Sequence, residues 1–125
     1  MSASLLDTCV LIDYLRDREA AVRVIRGLAI RPSVSVVTIA ELHAGIRNER
    51  EHRRIEGLPD LLDVRDVDFE IARLAGRYCL QYRRSHGVGI PDALIAATAQ
   101  VHRARLLTRN ARHFPMLDDL LVPYQ

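Results

Sequence analysis

Three polar side chains stand where short apolar runs of this sequence give out, and a fourth opens an alanine-rich helix. Asp7 follows SLL, Glu41 comes soon after SVSVV, Asp92 follows Gly89-Ile90-Pro91, and Asn110 comes just after RLL. Carboxylates gathered at one place repel one another and are costly to keep ionised without a cation. A hard divalent ion such as Mg2+ or Mn2+ removes that cost, because it prefers oxygen ligands, often one or two carboxylates with waters and a substrate phosphate. In phosphodiester hydrolysis such an ion activates water and neutralises charge developing on the phosphorus-bound oxygens. An all-oxygen set of Asp7, Glu41 and Asp92, with Asn110 as the fourth polar group, points to that chemistry rather than to zinc. The five histidines, His43, His52, His86, His102 and His113, show no zinc spacing and read as surface residues.

Each member of the set also has a local reading. Asp7-Thr8 is a suitable N-cap for a helix over VLIDYL. Thr38 and Glu41 have the spacing of a capping box, in which the glutamate bonds back to the threonine backbone. Asp92, in the first turn of a helix, is favoured by the macrodipole, and Asn110 suits a turn. Capping and ligation can coexist on one residue, and capping alone does not require acids to follow strand after strand.

For side chains this far apart to meet, the elements between them must converge. Residues 4–6, 33–37, 105–107 and 120–122 are apolar runs of strand length, with a weaker, charge-crowded one at 61–64. Between them, residues 10–15, 19–28, 39–47, 69–84 and 93–102 carry apolar positions at helical spacing. Proline at position 91 marks the start of the last, alanine-rich helix. Strands alternating with helices predict a single α/β domain over residues 1–125, built round a mainly parallel sheet. Such sheets place their sites beyond the carboxyl ends of the strands, where Asp7, Glu41 and Asn110 fall.

Composition narrows the function classes. The 125 residues are 49% hydrophobic and 27% charged, which suits a soluble domain with a real core. No apolar run reaches the roughly 18 residues of a membrane span. Asp7 and Asp13 break the first apolar stretch, so neither a signal peptide nor a membrane partner is expected. Cys9 and Cys79 form no CxxC pattern and suggest reduced thiols in a cytoplasmic protein. The net charge of +2 does not announce a nucleic-acid partner, and all 18 basic residues are arginine. Without lysine, a phosphoacceptor signalling module and a P-loop NTPase are excluded. A haloacid-dehalogenase-like phosphatase would need aspartate at position 9, where Cys9 stands.

Of the other charged groups, Asp13 and Asp17 read as surface acids, as do Asp60, Asp63, Asp66 and Asp68 round the weak strand. Arg47, Arg50, Arg53 and Arg54, interleaved with Glu49 and Glu51, read as a helix laced with ion pairs. Tyr14, Tyr78 and Tyr82 sit at helical spacings among apolar residues and read as packing groups.

Taken in order, LLDTCVLIDYL, VVTIAELHAGI, GIPDALIAATA and LLTRNARHFPML resemble the successive motifs of PIN domains, and most of all those of VapC-like ribonuclease toxins. The resemblance implies a three-layer α/β/α sandwich with a mainly parallel sheet and a Mg2+- or Mn2+-dependent endoribonuclease that cuts cellular RNA. It also implies a homodimer and inhibition by a cognate VapB-like antitoxin lying in the toxin's groove. By motif, Asp7, Glu41 and Asp92 fall on the three principal acidic positions and would hold the metal. Thr8 matches the hydroxyl residue after the first acid, and Thr108 opens the fourth motif. There the sequence departs from the acidic pattern, with Asn110 and His113 where acids can stand, so Asn110 is expected to hold a metal-bound water. Arg109 and Arg112 beside it are candidate phosphate clamps. The Asn110 departure also leaves a second reading, a PIN-like domain weakened in catalysis that binds RNA or protein.

Overall fold

Two short leucine-bearing strands set the plan of the molecule. In this computed structural model, which describes residues 3–125, β1 (Ser4–Leu6) pairs in parallel with β4 (Arg105–Leu107), Leu5 opposite Leu106 and Leu6 opposite Leu107. Successive strand side chains point to opposite faces, so each strand sends one leucine to either side of the sheet. Leu6 and Leu107 enter a core with Leu11, Leu15, Leu42 and Ile55, whereas Leu5 and Leu106 enter one with Ile95, Ala96, Ala99 and Phe114.

The remaining strands are β2 (Ser33–Ser35), β3 (Asp63–Arg65) and β5 (Leu120–Leu121). All pairings are parallel, in the order β3-β2-β1-β4-β5. Helices α1 (Thr8–Leu15), α2 (Glu19–Arg26), α3 (Val36–Ala44) and α4 (Glu49–Glu56) bring the residues of the first core. Helices α5 (Phe69–His86) and α6 (Ile90–Val101) cover the other face, where Ile71, Ala75, Cys79, Ala93 and Ala97 form a further cluster. The result is the expected three-layer α/β/α sandwich. Chain order reverses between β1 and β4, which opens the crevice that such sheets use for ligands.

The second strand stops at Ser35, two residues before the predicted end, and the capping box does not form. Ser35 Oγ accepts from the Val37 amide at 3.1 Å, so α3 begins at Val36. Val36 and Val37 have strand-like side chains, but a serine cap ahead of them supplies an orphan amide with its partner. Thr38 is therefore a buried residue inside the helix rather than its cap. The weak strand forms at Asp63–Arg65, slightly later than predicted. Helix α6 begins at Ile90 and takes Pro91 into its first turn.

The residues round Arg50 form α4, with ion pairs from Arg47 to Glu51 at 2.6 Å and from Arg50 and Arg54 to Asp17 at 2.9 and 3.1 Å. Asp68 is no free acid, since it caps α5 by accepting from the Ile71 amide at 2.9 Å. Cys9 and Cys79 are both free thiols. Among the described residues, no helix is long and apolar enough to cross a membrane.

Candidate active site

Asp7 leaves β1 as the N-cap of α1. Its amide still donates to the Leu107 carbonyl at 3.0 Å, and its Oδ1 accepts from the Thr8 amide at 2.8 Å. Its Oδ2 accepts from Thr108 Oγ1 at 2.7 Å and from the Cys9 thiol at 3.4 Å. Only 4% of the residue is exposed. Burial pushes its carboxyl above the usual aspartate range, the Thr108, Cys9 and Thr8 bonds pull it back, and the charge of Glu41 adds to the rise. Cys9 feels the same setting: burial, then the Asp7 charge, push its thiol up to about 11. It is a weak donor here rather than a nucleophile.

Glu41 projects from α3, and Thr8 ties it to Asp7. Thr8 Oγ1 donates to Glu41 Oε1 at 2.7 Å and lies 2.9 Å from Thr38 Oγ1. A hydroxyl has a single proton. With that proton committed to the carboxylate, Thr38 must donate to Thr8. A relay Thr38→Thr8→Glu41 thus holds one acid while the Thr8 amide holds the other.

Asp92 sits half-buried in the first turn of α6. Burial raises its carboxyl, the charge of Asp7 raises it further, and His113, 3.4 Å from Asp92 Oδ2, opposes both. His113, grouped with the surface histidines but standing where the fourth motif can carry an acid, faces Asp92. Asn110 is exposed, and its backbone amide donates to Thr108 Oγ1 at 3.0 Å. Thr108 is fully buried and so links the fourth motif directly to Asp7.

The two arginines differ. Arg109 is engaged, with Nη1 3.1 Å from Asp13 Oδ2 and its guanidinium 5.9 Å from the Tyr124 ring centre. Arg112 is exposed. Asp13, read from the sequence as a surface acid, has a carboxylate only 15% exposed and gathers three donors. Arg18 Nη1 and Arg109 Nη1 approach it at 3.1 Å and Tyr124 Oη at 2.7 Å. An acid inside the apolar VLIDYL helix was the one available signal, but its partners lie up to 111 positions away.

The structure thus brings Asp7, Glu41, Asp92, Thr8 and Thr108 to one edge of the sheet, with Asn110 at its rim. Asp7 feels the charge of Glu41, and Asp92 that of Asp7. Among the described residues, the group of acids and histidines whose donor atoms all lie within 4.8 Å is a different one, on α3 and α4. Three carboxylates, two of them carrying burial and repulsion as raised proton affinity, fit a hard divalent cation that keeps some of its waters. Asp7, Glu41 and Asp92 are the residues that could hold it.

The chain and its fold match known proteins. The family model for the PIN domain matches residues 4–120. Ribonuclease VapC19 of Mycobacterium tuberculosis is 41% identical over 124 residues, covering 96% of this chain and 98% of that protein. A toxin–antitoxin complex from Klebsiella pneumoniae superposes with a TM-score of 0.82 at 27% identity, over 98% of this chain and 99% of the other. DNA-bound VapBC from Salmonella typhimurium superposes with a TM-score of 0.80 at 26% identity, over 96% of both chains.

Proposed function

The chain belongs to the PIN-domain family, among relatives named VapC ribonucleases, and from that premise we propose that it is a Mg2+- or Mn2+-dependent endoribonuclease toxin restrained by a VapB-like antitoxin. The observation that carries the reading is the link between two acids from different strand ends. Thr8 holds Asp7 through its amide at 2.8 Å and Glu41 through its hydroxyl at 2.7 Å, with Asp92 close enough to feel the Asp7 charge. A divalent ion bound by Asp7, Glu41 and Asp92 would activate water and neutralise charge developing on a scissile phosphate.

The rest of the work falls to the chain. Thr108 and Thr8 fix the orientation of the Asp7 carboxylate, and the relay from Thr38 fixes Glu41. His113 holds Asp92 and, when protonated, offsets its charge. Asn110, exposed at the rim, is suited to orient a water or a phosphate oxygen. Arg112 is the better phosphate clamp, because Arg109 already bonds to Asp13. An apolar groove between α1, α3 and α4, lined by Ile12, Leu15, Leu42 and Ile55 and bordered by Glu41, is where we expect an antitoxin segment to lie. The antitoxin reading is supported by the toxin–antitoxin complexes among the solved relatives.

Purified protein should cleave RNA when Mg2+ or Mn2+ is supplied and stop when a chelator removes it. Asp7→Asn should cut the rate by more than the roughly 10–100-fold that losing a partner behind a metal ligand costs, with the fold intact by circular dichroism. Full-rate cleavage by that variant in metal-replete buffer overturns the assignment.

A further inference from the structure

His43 stands in the last turn of α3, and His52 and Glu56 lie on α4. Residues four apart on a helix share one face, so α4 offers an imidazole and a carboxylate side by side. Packing of α4 against α3 brings the third donor opposite them. His43 Nε2 lies 3.5 Å from Glu56 Oε1. The two imidazoles meet edge-on, with centroids 6.0 Å apart and planes at 66°. One donor atom from each of the three residues lies within 4.8 Å of the other two. An ion pair would join only His43 and Glu56, whereas the three donors converge on one point.

We propose that His43, His52 and Glu56 form a second metal site, for a borderline divalent cation of the Zn2+ type. Two neutral imidazoles and a carboxylate are the donors such ions prefer, and they differ in kind from the oxygen set at the sheet edge. Zinc–nitrogen bonds of about 2.0–2.1 Å require the donors to draw together. Side chains that are 36% exposed at His43 and 60% exposed at Glu56 have the freedom to do so. His43 and Glu56 also border an open apolar cavity lined by Val36, Ile39, Pro59 and Val64. A fourth position on that side has room for water. The bound ion would staple α3 to α4, and α3 carries Glu41, so it would brace the groove that those helices share with α1.

The test is titration of Zn2+ alone into the full chain carrying Asp92→Asn, which weakens the carboxylate edge as a competing site. One Zn2+ should bind per chain and raise the unfolding temperature. Adding His52→Gln or Glu56→Gln should each weaken binding by about 10–100-fold or more and remove the temperature rise, with circular dichroism unchanged. Saturable binding of equal strength in both added variants, or no saturable binding in the starting protein, overturns the site.

Discussion

Asp7 carries a charge that its surroundings disfavour, and its proton affinity shows by how it is held. Its carboxyl is raised first by burial and then by Glu41, against three hydrogen bonds that favour the ionised form. In the unfolded chain it returns to an ordinary carboxylate near pKa 4. Between that value and the raised folded one, the folded state binds more protons, so stability falls as pH rises through this window. Above the folded value the full penalty is present; below the unfolded value it is gone. Asn keeps the size and capping ability of Asp without the charge, but its NH2 cannot accept the Thr108 and Cys9 bonds that reach Oδ2. In metal-free buffer, the stability of Asp7→Asn relative to wild type should therefore rise as pH increases through this window. Below the unfolded value the difference should level off at the cost of the lost hydrogen bonds, and divalent metal should stabilise only the wild type. Equal pH profiles for the two proteins would show that Asp7 is not strained. Asp7 and Glu41 were legible in the sequence because each follows an apolar run in a chain that reads as α/β, and Asp92 because Pro91 marks a helix start. Asp13 and Thr38 were not. Their roles depend on Tyr124 and Arg109 for one and Thr8 for the other, and no local pattern encodes contacts of that range.

At the scale of elements, the boundary between β2 and α3 decides whether Glu41 reaches the site. The run SVSVV is β-branched and reads as one strand, yet Ser35 ends it by capping α3. The early start turns Thr38 inward to Thr8 and puts Glu41 one turn further on. Ser35→Ala should cost about 1 kcal/mol, the usual value of an N-cap serine, read as a lower denaturant midpoint. A loss indistinguishable from zero would mean that packing of Val34 and Leu42 alone sets the boundary. Helix α6 was easier to read, because Ala93, Ala96, Ala97 and Ala99 are buried and such an apolar, alanine-rich pattern has few alternatives to a central helix.

For the whole molecule, the parallel order β3-β2-β1-β4-β5 places the end of β1 beside the end of β4, and so Asp7 beside Thr108. The same architecture leaves one helix face uncovered. On α5, Phe69 and Leu80 are 79% and 80% exposed. Eleven residues apart, they lie on one stripe with Arg73 and Gly76 between them. A side chain at Gly76 would meet nothing within 4 Å. The homodimer that the family resemblance implies has this exposed stripe as a candidate contact, and a charge placed on it tests the pairing. Gly76→Glu should leave the single chain folded, since glycine is the weaker helix former by about 0.8–1.0 kcal/mol, while splitting the dimer in sedimentation velocity. A Gly76→Glu protein that still sediments as a dimer, or a wild type that sediments as a monomer, would place the contact elsewhere or remove it.

The sequence by itself determined the fold class and the order of the elements, and it singled out acids after two strands and at one helix start. Those rest on local signals: apolar period, cap and turn chemistry, and residue type at the end of a run. Tertiary structure alone decided which donors meet. It joined Asp7 to Thr108 across 101 positions, drew Arg109 away to Asp13, set His113 against Asp92, and brought His43 to His52 and Glu56. Hydrogen bonds and ligand sets act over about 3 Å, and only the packing of the layers brings distant parts of the chain within that range.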